Sequence, residues 1–347
     1  MNLDRLLRKH LKGLKPYQSA RDEYTGREGI FLDANENPLG SATEEAFNRY
    51  PDPYQQEVKA ALALVKLIRE PYIFLGNGSD EAIDLLYRAF CEPGEDHVIL
   101  LPPTYGMYKV SAQINGVDIR EVSLAEDFQL DVEAIRARVS PMTKLIFICS
   151  PNNPTGNLMD REAIRQVIEM APGLVVVDEA YADFAPDQSV LHWVREYPNL
   201  VVLQTFSKAW GLANLRLGMA FADPAIIQIL NQIKPPYNVN GLTQRMALEA
   251  LKNRKKMQQQ VSDLLEEREK LQAGLSALPL VERVYPSDAN FLLVKVPEPD
   301  RWYQELIDKR IIVRNRSRVH LCEGCLRITV GRPFENRMLL EVLAQLT

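Results

Sequence analysis

A lysine follows an apolar run of the chain in the segment "TFSKAWGLANLRLG" (205–218). Because lysine is seldom fully buried, Lys208 lies either on a surface loop or inside the protein, where its amine would be a reagent. A buried lysine whose amine acts as a reagent can form a Schiff base with a carbonyl cofactor. Ser207 and Arg216 lie on either side of it, and both residue types bind phosphate, arginine through two parallel hydrogen bonds.

Three further stretches carry groups that would complement such a lysine. Asp178 ends the apolar run in "VVVDEAY", either as a helix N-cap or as a buried carboxylate facing a ring nitrogen, with Tyr181 near the same ring. "SPNNPTG" predicts a turn, from which Asn153 would donate a hydrogen bond to a ring oxygen. Tyr105 in "PPTYGMY" is either a core aromatic or a ring that stacks on a flat cofactor.

A phosphate site is predicted in "GNGSDEAID", where a strand, two glycines and a helix start follow one another. The backbone N–H groups of Gly78, Ser79 and Asp80 would point at an anion, helped by the helix dipole. Alone this pattern is common, and the full dinucleotide fingerprint is absent. Together with the lysine, the carboxylate, the tyrosines and the asparagine, it completes the groups that a pyridoxal phosphate site needs.

Composition excludes several other classes of protein. The chain has 347 residues, of which 46% are hydrophobic and 25% charged, an ordinary globular composition with room for two domains. The formal net charge is −5, which argues against a nucleic-acid-binding protein because such proteins are usually basic. No apolar run approaches the roughly 20 residues that cross a bilayer, and the basic, leucine-rich start of the chain predicts a short docked helix. We therefore expect a cytoplasmic protein without nucleic-acid or membrane partners.

The cysteines predict neither a disulfide framework nor a metal site. "HLCEGC" contains a single CxxC pair, Cys322 and Cys325. A zinc site usually needs a second ligand pair at suitable spacing, and the sequence offers none. We interpret the segment as a turn between two strands.

Strand-like and helix-like segments alternate through the middle of the chain, which indicates an α/β domain with a largely parallel sheet. Ligands of such sheets bind at the carboxyl ends of the strands, where the candidate residues cluster. A charged helical stretch then leads to a smaller α/β unit. We predict a large cofactor-binding domain over 46–265, a small domain over 266–347, and an N-terminal segment, 1–45, that joins the small domain.

The motifs resemble those of the fold-type I, aspartate-aminotransferase-like enzymes, which use pyridoxal 5′-phosphate. "SPNNPTG", "DEAY" and the Ser-Lys…Arg spacing are typical of the wider family, while "LDANENP", "NRYPDP" and "LRITVG" are similar to its class II histidinol-phosphate aminotransferase branch. The resemblance covers nearly the whole chain. It implies a seven-stranded, mostly parallel sheet with flanking helices and a smaller domain. It also implies transamination between histidinol phosphate and 2-oxoglutarate in histidine biosynthesis.

The resemblance implies a role for each matching residue. Lys208 would bind the cofactor as a Schiff base and then move the proton, and Asp178 would pair with the pyridine nitrogen. Tyr181 and Asn153 would bond the 3′-oxygen, and Tyr105 would stack on the ring. The cofactor phosphate would be held by Ser207, Arg216, Ser79 and the backbone of Gly78 and Asp80.

Further implied contacts concern the substrate and a second subunit. Tyr50 would reach the cofactor phosphate of the other subunit, so the resemblance implies a homodimer. Arg327 would bind the anionic end of the substrate, with Arg314, Tyr17 and Asn37 as additional substrate contacts.

Three alternatives share parts of this pattern. A threonine-phosphate decarboxylase or a broad aromatic aminotransferase would use the same cofactor residues. A transcription regulator built on an aminotransferase-like domain would carry a DNA-binding module ahead of it, and no helix-turn-helix fits the residues before "LDANENP".

Overall fold

The computed structural model describes residues 3–15 and 29–346. Its larger part is a seven-stranded sheet in the order β1-β7-β6-β5-β4-β2-β3. Strand β7 runs antiparallel to both of its neighbours, and the other pairs are parallel. The strands are β1 (Ile73–Asn77), β2 (His97–Leu100), β3 (Asp118–Glu121), β4 (Thr143–Cys149), β5 (Leu174–Asp178), β6 (Leu200–Thr205) and β7 (Leu217–Ala222).

Helices cover both faces of this sheet, which is why its strands are apolar almost without interruption. Along β5, Val175 and Val177 belong to one buried cluster, whereas Leu174 and Val176 belong to the cluster on the opposite face. The period of two that a strand imposes on its side chains therefore divides one apolar run between two cores. The helices of this part are α2 (Gln56–Lys66), α3 (Gly78–Phe90), α4 (Met107–Ile114), α5 (Val132–Arg138), α6 (Arg161–Met170), α7 (Pro224–Ile233) and α8 (Gly241–Lys252).

The second part is a four-stranded antiparallel sheet in the order β10-β11-β9-β8. Its own core includes Trp302, Leu306, Leu326 and Leu339, so it has the independent hydrophobic centre of a separate unit. Its elements are α9 (Arg254–Ser276), β8 (Arg283–Val284), β9 (Phe291–Lys295), α10 (Pro299–Asp308), β10 (Arg314–Asn315), β11 (Cys325–Thr329) and α11 (Pro333–Ala344). The predicted α/β fold, with a seven-stranded, mostly parallel sheet and a smaller second unit, is confirmed.

The start of the chain forms a short helix, α1 (Leu3–Leu6), followed by a 3₁₀ turn at Lys9–Leu11. Leu6 is buried in the same cluster as the residues of α3, and the backbone N–H of Arg8 donates to the carbonyl oxygen of Ala89 over 2.9 Å. Both contacts are to α3, which packs on the large sheet, whereas the sequence analysis predicted that 1–45 joins the small domain. The limits of the predicted domains stay a prediction.

None of the helices in residues 3–15 and 29–346 is long and apolar enough to cross a membrane.

The "HLCEGC" segment lies between β10 and β11, and the N–H of Cys325 donates to the carbonyl oxygen of Cys322 over 3.0 Å. The segment is therefore the predicted turn between two strands, and both thiols are buried and unpaired in disulfides.

Candidate active site

A cavity of about 600 Å³ lies where the carboxyl ends of the large sheet's strands face the small domain. Parallel strands bring their carboxyl ends to one edge, so residues far apart in the chain meet there. Asp178 ends β5, Thr205 ends β6, and α3 begins directly after β1. Twelve predicted site residues line the cavity: Gly78, Ser79, Asp80, Tyr105, Asn153, Asp178, Tyr181, Ser207, Lys208, Arg216, Arg314 and Arg327.

The amino end of α3 forms a cradle suited to an anion. Gly78 has a φ of +73°, which favours glycine, and its N–H donates to the carbonyl oxygen of Arg216 over 2.7 Å. A Cβ on Gly218 would overlap the backbone nitrogen of Ser79, so only glycine lets β7 approach the helix start this closely. The Arg216 guanidinium lies 3.5 Å from both the Ser207 hydroxyl and the Asp80 carboxylate. The amino end of α3, the Ser207 hydroxyl and the Arg216 guanidinium therefore lie close together, and each of them favours an anion.

Asp178 is a buried carboxylate with two hydrogen-bond donors and no ion pair among the described residues. It accepts from the Tyr108 hydroxyl over 2.7 Å and from the N–H of Ala180 over 3.0 Å. Burial raises the pKa of its carboxyl to about 6, although these two hydrogen bonds oppose the shift. A cation bound beside it would restore the charged form, as a protonated ring nitrogen would.

Lys208 lines the same cavity, with its Nζ 5.5 Å from the centre of the Tyr181 ring. Burial lowers the pKa of its amine, and the nearby Arg327 guanidinium lowers it further. Both effects disfavour the ammonium form. A larger fraction of this amine is therefore neutral, and nucleophilic, near physiological pH.

Three arginines of the small domain form one wall of the cavity: Arg314, Arg316 and Arg327. Arg314 and Arg327 are cross-strand partners on β10 and β11. The Nη1 of Arg327 donates to the Oδ1 of Asn153, which leaves the amide nitrogen of Asn153 available to a ligand. Within the described part of the chain, none of the three arginines is in an ion pair, and the Nε atoms of Arg316 and Arg327 are buried without a hydrogen-bond partner.

Sequence reasoning missed two of these residues, Tyr108 and Arg316. Tyr108 is fully buried and stacks on Phe147, with ring centres 4.7 Å apart. A buried tyrosine hydroxyl needs an acceptor, and Tyr108 follows Tyr105 by one helical turn, so "PPTYGMY" carried that signal. Tyr105 lines the cavity and also donates its hydroxyl to the Oδ1 of Asp80 over 3.2 Å.

Two predicted contacts lie outside the cavity, and a third falls outside the described residues. The half-exposed ring of Tyr50 stacks on Tyr237, with centres 4.5 Å apart. The Oδ1 of Asn37 accepts from the N–H of Leu39 over 3.0 Å. Tyr17 lies in the part of the chain that the structure does not describe. The single chain therefore does not bring Tyr50 and Asn37 to the lysine.

Comparison with known proteins identifies the family of the chain. The family profile "Aminotransferase class I and II" matches residues 27–343. Histidinol-phosphate aminotransferase from Cytophaga hutchinsonii is 56% identical over 342 residues, covering 99% of this chain and 98% of the relative. The enzyme of the same name from Parabacteroides distasonis is 54% identical over 342 residues, with the same coverage.

Solved structures share the fold at lower sequence identity. The histidinol-phosphate aminotransferase of Clostridium acetobutylicum superimposes with a TM-score of 0.80 at 22% identity, covering 86% of this chain and 91% of that one. The Sinorhizobium meliloti enzyme, solved in complex with pyridoxal-5′-phosphate, has a TM-score of 0.79 at 24% identity, covering 90% of each chain. The chain belongs to the class I and II aminotransferase family and, within it, groups with the histidinol-phosphate aminotransferases.

Proposed function

We propose that this chain catalyses transamination between L-histidinol phosphate and 2-oxoglutarate, with imidazole-acetol phosphate and L-glutamate as products and pyridoxal 5′-phosphate as cofactor. The reaction is a step of L-histidine biosynthesis, and we place it in the cytoplasm. One observation carries the proposal: a lysine, a buried carboxylate and three arginines that form no ion pair with any described residue line a single cavity. The 56% identity to a histidinol-phosphate aminotransferase supports this choice of substrate.

The cavity's side chains fit pyridoxal phosphate. Its phosphate would rest on the backbone of Gly78 and Asp80 and on the hydroxyls of Ser79 and Ser207, with Arg216 opposite. Asp178 would bond the ring nitrogen and favour its protonated form, since its carboxylate has no cation partner among the described residues. The bonds to Tyr108 and Ala180 hold that carboxylate in place.

The remaining ring contacts complete the cofactor site. Tyr181 and the free amide nitrogen of Asn153 would donate to the ring's 3′-oxygen, and Tyr105 would cover one face of the ring. When bound, the cofactor supplies an electron sink for the charge that develops at the substrate's α-carbon.

Lys208 does the proton transfer in this scheme. With substrate and cofactor both bound, the Nζ of Lys208 would accept the proton of the substrate's α-carbon. The lowered pKa of this amine suits a general base near neutral pH. The same Nζ would then give the proton back, so that one residue would serve both proton transfers.

The substrates differ in their anionic ends, one carrying a phosphate and the other two carboxylates. Arginine binds either anion with two parallel hydrogen bonds. We assign the anionic end of each substrate to Arg327, with Arg314 beside it, and keep Tyr17 and Asn37 as further proposed substrate contacts. The hydrogen bond from Arg327 to Asn153 links the substrate end of the cavity to the cofactor end.

We also propose that the active form is a homodimer in which Tyr50 reaches the cofactor phosphate of the other subunit. Large apolar side chains are exposed on the segment that carries it, among them Leu39, which is 95% exposed, and Leu32, which is 85% exposed. Such a patch is typical of a protein–protein interface. Light scattering of the holoenzyme that gave the mass of one chain would contradict this part of the proposal.

The decisive experiment is a single half-reaction of the holoenzyme. L-histidinol phosphate added without 2-oxoglutarate is expected to give one equivalent of imidazole-acetol phosphate per site, measured by mass spectrometry. The Lys208→Ala variant is expected to give none. Absence of product with the wild-type enzyme, together with turnover of phenylalanine or release of carbon dioxide from threonine phosphate, would refute the proposed substrate and favour the related activities.

A further inference from the structure

The arginine wall, formed by Arg314, Arg316 and Arg327, carries more positive charge than is required to bind one carboxylate. Arg314, Arg316 and Arg327 lie close together: the charge of Arg314 lowers the pKa of Arg316, and the charges of Arg316 and Arg314 lower the pKa of Arg327. Among the described residues, no carboxylate neutralises them. The two carboxylates in the cavity lining lie elsewhere, Asp80 beside Arg216 and Asp178 beside Tyr108. Three unneutralised guanidinium groups repel one another, so the arrangement is stabilised when an anion binds.

Arg316 is held at this wall by its backbone, since its side chain has no hydrogen-bond or ion-pair partner among the described residues. Its N–H donates to the carbonyl oxygen of Cys325 over 2.8 Å, just beyond β10. Its side chain is half-buried, lines the cavity, and has a buried Nε without a hydrogen-bond partner. Burial lowers the pKa of its guanidinium, and the charge of Arg314 adds to that effect. A donor kept dry and unpaired in this way costs free energy until a ligand accepts its hydrogen bond.

The two substrate anions differ in how many such donors they satisfy. A carboxylate has two oxygens and one negative charge, which a single bidentate guanidinium matches. A phosphate monoester has three terminal oxygens and a charge of about −1.5 to −2 at pH 7. Only the phosphate therefore gains fully from a third arginine.

We propose that Arg316 is a specificity-determining residue that binds the substrate's phosphate and favours this dianion over a carboxylate at the same arginine wall. The inference rests on the proposed function, since it concerns the phosphate-bearing substrate of that reaction. Arg316 adds to the contacts of Arg314 and Arg327 and takes no part in the proton transfer.

Two variants of the holoenzyme test the role of Arg316. Arg316→Gln keeps a polar side chain and removes the charge, and Arg318→Gln removes a charge from an exposed residue of the same turn that does not line the cavity. We expect Arg316→Gln to raise the apparent KM for histidinol phosphate roughly tenfold or more, and to change that for glutamate by less than about twofold. Arg318→Gln should change neither. An equal loss for both substrates would overturn the inference.

A second measurement does not depend on the phosphate substrate. Sulfate, a dianion, and acetate, a monoanion, are tested as inhibitors of the glutamate half-reaction. Arg316→Gln should weaken inhibition by sulfate roughly tenfold and leave inhibition by acetate unchanged. Unchanged inhibition by sulfate would overturn the inference even if wild-type enzyme uses histidinol phosphate. Failure of wild-type enzyme to use that substrate would instead refute the proposed function.

If Arg316→Gln does not fold, Arg316→Lys takes its place. Lysine keeps the charge but loses the fixed pair of donors, so sulfate inhibition should weaken severalfold. Wild-type inhibition in that variant would contradict the assignment.

Discussion

Replacing Asp178 with asparagine tests whether the buried, ionised carboxylate of Asp178 destabilises the folded protein. Its pKa of about 6 lies above the ordinary 3.8 because the side chain is buried. The folded protein therefore holds this proton more tightly than the unfolded chain does. Between about pH 4 and pH 6 the folded state binds more protons, so stability falls as pH rises through that window.

The raised pKa of Asp178 sets how much stability the ionised carboxylate costs. A difference of about two pKa units, at 1.36 kcal/mol each, lowers the free energy of unfolding by about 3 kcal/mol, and this loss is complete above pH 6. Asparagine resembles the protonated acid, and the Tyr108 hydroxyl can accept from its amide as well as donate. Cofactor-free Asp178→Asn is thus expected to match wild type near pH 4 and to exceed its free energy of unfolding by about 3 kcal/mol near pH 8.

Urea unfolding of the cofactor-free proteins, at one protein concentration and several pH values, measures this difference. Asp187→Asn is the matched control, because Asp187 is exposed and its replacement should change the free energy of unfolding little. The cofactor should stabilise wild type more than Asp178→Asn. Equal stability of Asp178→Asn and wild type near pH 8 would refute the reasoning.

Two further predictions concern the phosphate cradle and the lysine. Gly218→Ala should lower the free energy of unfolding by more than about 2 kcal/mol and weaken cofactor binding, because its Cβ would displace the backbone of Ser79. Gly106→Ala, which meets nothing within 4 Å, should be nearly neutral in the same urea titration. Arg327→Gln should raise the pKa of Lys208 by removing a neighbouring cation. The rate of holoenzyme formation, followed by visible absorbance, should then rise at higher pH than in wild type. An unshifted profile would contradict the effect of Arg327 on the pKa of Lys208.

The sequence was sufficient for the fold class because the strand signals were strong and local. Apolar runs such as that of β5 must be covered on both faces, and their alternation with helix patterns predicts parallel pairing. The cofactor motifs could also be identified from the sequence, because the phosphate cradle requires glycine and the Schiff base requires lysine. Twelve predicted residues, among them Lys208 and Asp178, line one cavity for this reason.

Other features depend on side-chain contacts whose partners no local pattern identifies. Tyr108 was overlooked because its bond to Asp178 joins residues 70 positions apart. Arg316 was overlooked because only the turn between β10 and β11 brings it beside Arg327. The sequence by itself determined which chemical groups are present and which strand ends carry them. Only the tertiary structure decided which charges remain without a partner, because burial and neutralisation depend on contacts between distant segments.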